Sequence, residues 1–236
     1  MPLPFFFTET TAAVGETLTL NEETSKHVIS VLRIKKGEQI HLTNGKGSFL
    51  TAEIINDHKK KCDVIIKNGE IKQQLQQKAT IAISLLKNAN RFEWFLEKAT
   101  EVGVTAIIPL LCERTERQHF RDERMEGLLI SAMLQSRQCW LPQLFKPMRF
   151  DEYIHKEYPE NDLFIAHCGE DEKEPLHLRI QKKSSSNICI GPEGDFSLSE
   201  INAAIGKGFK PVSLGHTRLR SETAGIVAAV YLTQLL

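Results

Sequence analysis

The sequence predicts an α/β protein with two domains, a small β-barrel followed by a larger domain built on a parallel sheet. Short β-rich runs at close spacing, with one helical stretch among them, fill residues 1–72. From residue 79 to residue 236, strands and helices alternate, which is typical of a parallel sheet covered by helices on both faces. The polar, glutamine-rich stretch IKQQLQQK (71–78) lies where the pattern changes and is the predicted linker.

Five runs in the predicted barrel are rich in β-branched and aromatic residues, as strands are: FFFTET, ETLTL, QIHLTN, FLTAEII and CDVIIK. The pairs Asn44-Gly45 and Asn68-Gly69 predict turns. One stretch, EETSKHVISVLR (22–33), has apolar residues at helical spacing and predicts a helix between the second and third strands.

The predicted C-terminal domain alternates strands with amphipathic helices. TIAISLL and VTAIIPLL are buried-strand patterns on either side of a helix over 91–103, which Gly103 is placed to end. The apolar stripe of that helix consists of Phe92, Phe95, Leu96, Ala99 and Val102. A helix around 123–138 follows, and further strands are predicted at 162–167, 187–190 and 211–214.

Composition narrows the class of protein. Thirty Lys and Arg balance thirty Asp and Glu, so attraction of nucleic acid by the whole molecule's charge is excluded, although a local basic face is not. Five scattered cysteines without a CxxC pair predict a reducing compartment, with no disulfide framework and no zinc site. The start PLPFFF lacks the basic residues of a signal peptide, and the apolar run GIVAAVYL is too short to span a bilayer. We therefore expect a soluble, cytoplasmic protein with no membrane segment.

Three segments near the end of the chain each follow a predicted strand. They are AHCGE (166–170), IGPEGDFSLSEI (190–201) and SLGHTRLRSETAGIVAAVYL (213–232). In open α/β sheets, ligands bind outside the carboxyl ends of the strands. Glycines there let backbone groups approach a ligand, and the cost of burying Glu193 in such a loop favours a functional role. Ser197 and Glu200 have the spacing of a capping box, which predicts a helix start.

The third segment brings Arg218 and Arg220 to the start of a helix, with Ser221 as the predicted N-cap and Glu222 beside it. This pattern favours binding of an anion, but an ordinary surface ion pair remains open. An ordinary strand-turn-helix corner remains open for the second segment as well. The chain has no GxxxxGK[ST], GxGxxG, GxSxG or HExxH pattern, and its histidines are dispersed. The sequence therefore disfavours a P-loop NTPase, a dinucleotide-binding enzyme and an α/β-hydrolase, and it predicts no metal site.

The two longer segments, together with HVISVLRIKKGEQIHLTNGKG (27–47) and EKATEVGVTAIIPLLCERT (97–115), resemble motifs of the RsmE-type 16S rRNA uridine N3-methyltransferases. These enzymes belong to the SPOUT superfamily, and the resemblance extends over nearly the whole chain. It implies a PUA-like N-terminal barrel for RNA and a C-terminal α/β domain whose chain threads a trefoil knot. It also implies a homodimer that methylates N3 of the uridine U1498 in the small ribosomal subunit.

The resemblance implies that the three loops hold S-adenosylmethionine. The implied cofactor-binding residues are His167, Gly169, Ile190, Gly191, Pro192, Gly194, Leu214, Gly215, Leu219 and Thr223. Arg220 is expected to stabilise the charge that develops on the uracil, with Glu222 as the base and Glu193 as the alternative. The residues expected to contact RNA phosphates are Arg33, Lys35, Lys36, Arg114, Arg117, Arg121 and Arg124.

The chain departs from the family pattern at three places. Asp195 stands where the family usually has a second glycine, His216-Thr217 stands where it has Pro-Arg, and MPLPFFF replaces N-terminal arginines. These departures affect the expected loop geometry and the phosphate contact from the N-terminus. Two other functions remain open from the sequence: methylation of another RNA site by the same fold, and a non-catalytic RNA-binding factor for ribosome assembly.

Overall fold

The computed structural model describes residues 3–74, 76–116, 118–159, 161–169, 172–181 and 185–234 of the 236-residue chain. The chain forms two compact units. The first comprises Met1–Gln74 and Met133–Leu141, and the second comprises Leu75–Ala132 and Pro142–Leu236. The predicted domain boundaries leave 133–141 in the C-terminal domain, because no local pattern indicates that a distant segment packs with the first 74 residues. The division of the chain into contiguous domains at 1–72 and 79–236 stays a prediction.

The first unit is built on one five-stranded sheet. Its strands are β1 (Phe5–Phe7), β2 (Thr17–Thr19), β3 (Gln39–Thr43), β4 (Ser48–Asn56) and β5 (Asp63–Ile71). They follow the order β1-β3-β4-β5-β2, with β1 parallel to β3 and the other neighbouring pairs antiparallel. All five predicted strands are confirmed. In the described residues β1 and β2 form the edges of the sheet, so the barrel is an open half-barrel.

The strands of this sheet bury alternate side chains in one core. In β4, Leu50, Ala52 and Ile54 are buried, and the residues between them are only partly covered. This is the period of two that a strand with one covered face requires. A buried hydroxyl joins the helical part to the same core, because Ser25 Oγ accepts the Cys62 N–H at 3.0 Å.

The predicted helix over 22–33 has two parts. An α-helix, α1 (Glu22–Lys26), continues as a π-helical turn (His27–Val31). In the wider turn the Leu32 N–H donates to His27 O at 2.9 Å. The chain leaves it through Arg33, whose φ of +58° lies in the left-handed region. Periodicity predicts that this stretch is helical, but it does not separate an α-turn from a π-turn, which differ by one residue.

The Asn68-Gly69 pair does not turn the chain, and that prediction is wrong. Both residues lie inside β5, beside a shift of register in the pairing with β4 that marks a β-bulge. A Cβ at Gly69 would lie only 2.9 Å from Leu50 Cδ2. A side chain at this position would therefore displace the end of the Leu50 side chain. The Asn44-Gly45 turn is confirmed, since it connects β3 to β4.

Residues 139–141 pack on the connection between β3 and β4 within the first unit. The Gly47 N–H donates to Cys139 O at 2.8 Å. The Trp140 ring covers Gly47, and its indole N–H donates to Lys72 O at 3.0 Å. Gly47 has a φ of +89°, and a Cβ there would lie 2.7 Å from Trp140 Cε2. This position requires a positive φ and leaves no space for a Cβ beside the Trp140 ring, and only glycine meets both requirements.

Replacing Gly47 with alanine is expected to lower the free energy of unfolding by about 2–4 kcal/mol, because backbone strain and overlap with the Trp140 ring add together. Gly37→Ala is the matched control. Gly37 has the same φ of +89°, but nothing lies within 4 Å of its Cβ position. It should lose only the strain, about 1–2 kcal/mol. Urea unfolding of both variants measures the difference, and equal losses would contradict the packing role of Trp140.

The second unit contains a parallel sheet with helices. Its strands are β6 (Ala79–Ser84), β7 (Ala106–Leu111), β8 (Gln143–Leu144), β9 (Met148–Arg149), β10 (Asn161–Ala166), β11 (Glu174–Pro175), β12 (Ser185–Ile190) and β13 (Lys210–Ser213). Its helices are α2 (Ala89–Glu101), α3 (Asp122–Gln135), α4 (Phe150–Ile154), α5 (Leu176–Arg179), α6 (Leu198–Gly206) and α7 (Ser221–Gln234). The last residues of α3, from Met133 on, belong to the first unit. The strand order is β11-β13-β10-β12-β6-β7-β8, β9 also pairs with β7, and every pair is parallel.

The centre of the parallel sheet is apolar, as the sequence predicts. All six residues of β6 are buried, and the α2 stripe buries Phe92, Phe95, Leu96 and Ala99. Gly103, with a φ of +91°, follows the end of α2. Helix α7 packs closely here, since a Cβ at Gly225 would lie 2.7 Å from the Phe95 ring. The predicted strands and long helices of this unit are confirmed. The two-residue strands β8, β9 and β11 and the short helices α4 and α5 are too short for periodicity to predict.

The five cysteines are all free thiols. Burial raises the pKa of Cys112 to about 12 and that of Cys189 well above its usual value. These two thiols are therefore protonated near neutral pH and unreactive. In the ranges that the structure describes, no helix is long and apolar enough to cross a membrane.

Candidate active site

A cavity of about 680 Å³ lies at the carboxyl ends of β10, β12 and β13, three neighbouring strands of the parallel sheet. It is lined by residues 166–169, 190–193 and 212–221, with Lys173, Asp195 and Ala224. Because parallel strands end at the same edge of a sheet, the loops that follow them meet there. The fold thus brings together the three segments that the sequence selects.

Eight of the ten residues predicted to hold a cofactor line this cavity: His167, Gly169, Ile190, Gly191, Pro192, Leu214, Gly215 and Leu219. Gly194 and Thr223 are not among the lining residues. Glu170, in the first predicted loop, lies outside the described residues. The lining supports the choice of loops, while the binding role of each residue stays a prediction.

The loop after β12 is a tight turn that leads into α6. The Asp195 N–H donates to Pro192 O at 2.9 Å and closes the turn. The predicted capping box is confirmed: Ser197 Oγ accepts the Glu200 N–H at 3.3 Å, and the Glu200 carboxylate accepts the Ser197 N–H at 2.9 Å. One end of this loop is therefore held by a backbone hydrogen bond and the other by the side chains of the capping box.

Arg114 holds the same loop from outside. Its Nη1 donates to Gly194 O at 2.7 Å and to Phe196 O at 3.4 Å. A Cβ at Gly194 would lie 3.4 Å from Arg114 Cδ, so the arginine side chain packs along the loop. The sequence predicts a phosphate contact for Arg114, but the structure directs its guanidinium to backbone carbonyls.

Glu193 lines the cavity, and its side chain is exposed. The expectation that the loop buries the Glu193 carboxylate at a cost in free energy is therefore wrong. Its Oε1 accepts the Lys87 N–H at 3.1 Å. The ammonium of Lys87 pairs with Glu116 at 2.7 Å, and this hydrogen bond raises the pKa of Lys87. The Glu193 carboxylate is thus in contact with the connection between β6 and α2.

Arg220 lines the cavity at the start of α7, and its side chain is exposed. Its carbonyl accepts the Ala224 N–H at 2.8 Å, the first hydrogen bond of the helix. Arg220 therefore occupies the position before the helix, and Ser221 is the first helical residue rather than the predicted N-cap. The start of the helix determines the place of the Arg220 backbone.

Glu222 does not line the cavity, unlike the other two residues predicted to be catalytic. Its exposed fraction is 6%, and its Oε1 lies 3.5 Å from Arg91 Nε. Within the described part of the chain, its Oε2 is buried without a hydrogen-bond partner. The sequence places Glu222 next to Arg220 but does not reveal that α2 supplies an arginine beside it.

The first loop has two hydrogen bonds among its own residues. The Gly169 N–H donates to His167 Nδ1 at 3.2 Å, and Lys173 Nζ donates to Gly169 O. Lys173 lines the cavity, and so does Asp195, which the sequence marks only as a departure from a family glycine. No sequence pattern singles out Lys173, because its position at the cavity depends on the path of the loop.

The other predicted phosphate contacts differ in their surroundings. Arg33, Lys35 and Lys36 are exposed in the first unit. Arg124 binds both carboxylate oxygens of Glu93 at 2.7 Å, and Arg121 Nε lies 3.2 Å from His119 Nε2. Arg117 lies outside the described residues. Among the residues described, no group of three or more His, Cys, Asp or Glu side chains is placed to hold a metal ion.

Two family models match the chain. An RNA methyltransferase domain matches residues 73–233, and an RNA methyltransferase PUA domain matches residues 20–67. Among curated relatives, the ribosomal RNA small subunit methyltransferase E of Synechocystis is 32% identical over 94% of this chain and 75% of its own length. The protein of the same name from Rickettsia conorii is 31% identical over 86% of this chain and 83% of its own.

Solved structures agree with these matches. The crystal structure of a "probable rRNA-methyltransferase" from Porphyromonas gingivalis has a TM-score of 0.90 at 34% identity, covering 99% of this chain and 98% of the other. The ribosomal RNA small subunit methyltransferase E from Neisseria gonorrhoeae, bound to S-adenosylmethionine, has a TM-score of 0.89 at 28% identity with the same coverage. The expected fold class, a SPOUT parallel-sheet domain with a PUA-like domain, is confirmed.

The family models identify the unit with the parallel sheet, whose carboxyl edge holds the loop-lined cavity, as an RNA methyltransferase domain, and the half-barrel as the PUA domain of such an enzyme. The matches extend over both units and nearly the whole chain. The chain belongs to the ribosomal RNA small subunit methyltransferase E family.

Proposed function

We propose that this chain transfers a methyl group from S-adenosylmethionine to N3 of a uridine in 16S rRNA, at the U1498 position that the resemblance implies. The cavity at the ends of β10, β12 and β13 carries the proposal, because the loops that follow β12 and β13 contain two of the family motifs. The Neisseria gonorrhoeae relative, whose fold this chain shares, is described as bound to S-adenosylmethionine.

The residues of the cavity fit this cofactor. A volume of about 680 Å³ is in the range of small-molecule sites. Ile190, Val212 and Leu214 supply an apolar wall for an adenine ring, and the charged side chains Lys173 and Glu193 suit the carboxylate and amino groups of a methionine moiety. The wall also has glycines, which carry no side chain between the backbone and a ligand.

Arg220 is the proposed stabiliser of the reaction. S-adenosylmethionine supplies an electrophilic methyl group when bound, so the chain itself needs to orient the uridine and help remove its N3 proton. Loss of that proton leaves negative charge on the uracil oxygens. A guanidinium at the wall of the cavity is suited to stabilise this charge, and Arg220 occupies such a place.

Glu193 is the favoured base on geometry. A base needs to reach the proton that it removes. The Glu193 carboxylate is exposed at the cavity wall, whereas Glu222 is buried beside Arg91 and outside the lining. The sequence favours Glu222 and the geometry favours Glu193, and glutamine variants of the two residues separate them.

RNA binding is proposed for the exposed basic residues of the first unit, Arg33, Lys35 and Lys36. Ammonium and guanidinium groups bind phosphates without reading the base sequence. The N3 edge of uridine is paired in a duplex, so the target needs to be unpaired or flipped out. Of the predicted contacts outside the first unit, Arg124 is already engaged by Glu93 and Arg114 by the loop after β12.

Replacing Arg114 with alanine is expected to weaken S-adenosylmethionine binding about 10-fold, because the loop after β12 loses charge-assisted hydrogen bonds. Calorimetric titration with the cofactor measures the change. Arg121→Ala, an exposed arginine on the same connection, should keep the wild-type affinity. If Arg114→Ala keeps its cofactor affinity and instead lowers the dependence of RNA affinity on salt concentration, Arg114 is a phosphate contact.

The remaining expectations of the resemblance belong to the same proposal. We infer a trefoil knot in the second unit, a homodimer, the small ribosomal subunit as the substrate particle, and a cytoplasmic location. The shared family supports them.

The test uses labelled S-adenosylmethionine and small ribosomal subunits from cells that lack this enzyme. We expect label in 3-methyluridine at one position after nucleoside digestion. Label in another nucleoside or at another position would support the same fold acting on another RNA site. Cofactor binding without label in subunits or in naked rRNA would contradict the proposed target, and absence of cofactor binding would favour the assembly-factor function.

A further inference from the structure

Asp195 has a backbone conformation that disfavours a side chain. Its φ of +62° lies in the left-handed region, and the residue stands in the wall of the cavity. Glycine adopts this conformation freely, and among residues with a side chain Asn and Asp visit it occasionally, because their short polar side chains bond nearby backbone groups. A residue remains in such a conformation only where its surroundings hold it, and these conformations occur often at functional sites.

The Asp195 carboxylate links two loops of the cavity. Its Oδ2 accepts the Cys168 N–H at 2.7 Å, and its Oδ1 accepts the Phe196 N–H at 2.8 Å. Cys168 follows β10 and Phe196 follows β12, and these two strands are neighbours in the sheet. Hydrogen bonds to a carboxylate are stronger than those between neutral groups. One side chain thus joins the backbones of two lining loops.

The backbone on both sides of Asp195 is held as well. The Asp195 N–H closes the turn to Pro192 O, and Arg114 donates to the carbonyls of Gly194 and Phe196. Contacts on the side chain, on its own amide and on both neighbouring carbonyls together determine the conformation. The disfavoured φ is therefore a fixed part of the loop.

We propose that Asp195 is a positioning residue for the cofactor, which holds the backbone of Cys168 and Gly169 against the loop after β12. Two walls of the cavity are then in place before the cofactor enters. This inference rests on the proposed function and deepens it by assigning part of the cofactor affinity to a residue at which the chain departs from the family pattern.

The hydrogen bonds of Asp195 act on the binding of the cofactor rather than on the transfer of the methyl group. A site that is ordered in advance loses less conformational freedom when its ligand binds. Each carboxylate oxygen of Asp195 already accepts a backbone N–H, so the role of this side chain is to connect loops. Arg220 and Glu193, the proposed reacting groups, make none of these hydrogen bonds.

Two substitutions separate the hydrogen bonds from the backbone strain. Asp195→Gly relieves the strain and removes both hydrogen bonds, while Asp195→Asn tolerates the same φ and keeps one acceptor oxygen. For the full chain with glycine we expect Kd and KM for S-adenosylmethionine to rise about 10-fold while kcat changes less than about 2-fold. The asparagine variant should lie between glycine and wild type. Amide hydrogen exchange at Cys168, followed by NMR without cofactor, should be faster in the glycine variant.

The outcomes distinguish this inference from the proposed function. If wild type binds no S-adenosylmethionine, the proposed function fails and this inference fails with it. If wild type binds the cofactor and Asp195→Gly binds it equally well, only this inference is overturned. A loss of kcat at unchanged Kd would overturn it too. Should Asp195→Gly not fold, Asp195→Asn is judged by the same criteria.

Discussion

Arg220→Ala is expected to lower kcat for uridine methylation by about 100- to 1,000-fold, the usual loss when a group that stabilises developing negative charge is removed. Cofactor affinity should change much less, because the guanidinium acts on charge that exists only during the reaction. Single-turnover methylation of small subunits at saturating S-adenosylmethionine measures the effect. Arg149→Ala removes an exposed arginine that does not line the cavity and should keep wild-type turnover.

A charge-conserving variant sharpens the test of Arg220. Lysine keeps the positive charge but loses the planar fork of donors that can bind two oxygens at once. Arg220→Lys should therefore recover part of the turnover that alanine loses. Full turnover in Arg220→Ala would contradict the assigned role.

Glu193→Gln is expected to lower turnover by about 100- to 10,000-fold, the range for loss of a general base, with little change in cofactor affinity. The amide keeps the shape of the side chain and an oxygen that can accept the Lys87 N–H. Glu222→Gln is the paired variant, and it should keep turnover but change the free energy of unfolding, because Arg91 loses its charged partner. Measurement of kcat, Kd and urea unfolding for both variants decides between the two carboxylates.

The reverse pattern would restore the assignment favoured by the sequence. If Glu222→Gln loses turnover and Glu193→Gln does not, Glu222 is the base and its buried place beside Arg91 serves the reaction. Equal losses of affinity and turnover in either variant would argue against a base at that position.

Local patterns predict much of the fold because they report on burial and on helix ends. The stripe Phe92, Phe95 and Leu96 and the capping box of Ser197 and Glu200 can each be read from a few adjacent residues. The three loops of the cavity can also be predicted, since strands that precede glycine-rich segments end at one edge of a parallel sheet.

The features that the sequence does not predict depend on contacts between distant segments. Arg91 reaches Glu222 from another helix, and the Asp195 carboxylate reaches Cys168 from another loop. Asn68-Gly69 has the composition of a turn, but pairing with β4 keeps it in a strand. In each case the structure depends on a contact between two segments whose separation in the sequence follows no spacing rule.

Because residues 133–141 pack with the first unit, expression of residues 1–74 alone does not reproduce that unit. It is assembled from two stretches of chain, and Trp140, from the second stretch, covers Gly47 in the first. A gene fragment that stops at residue 74 lacks this cover and exposes apolar surface around the connection between β3 and β4. The unit is therefore not a portable module: recombination or a fusion protein has to carry both stretches to reproduce it.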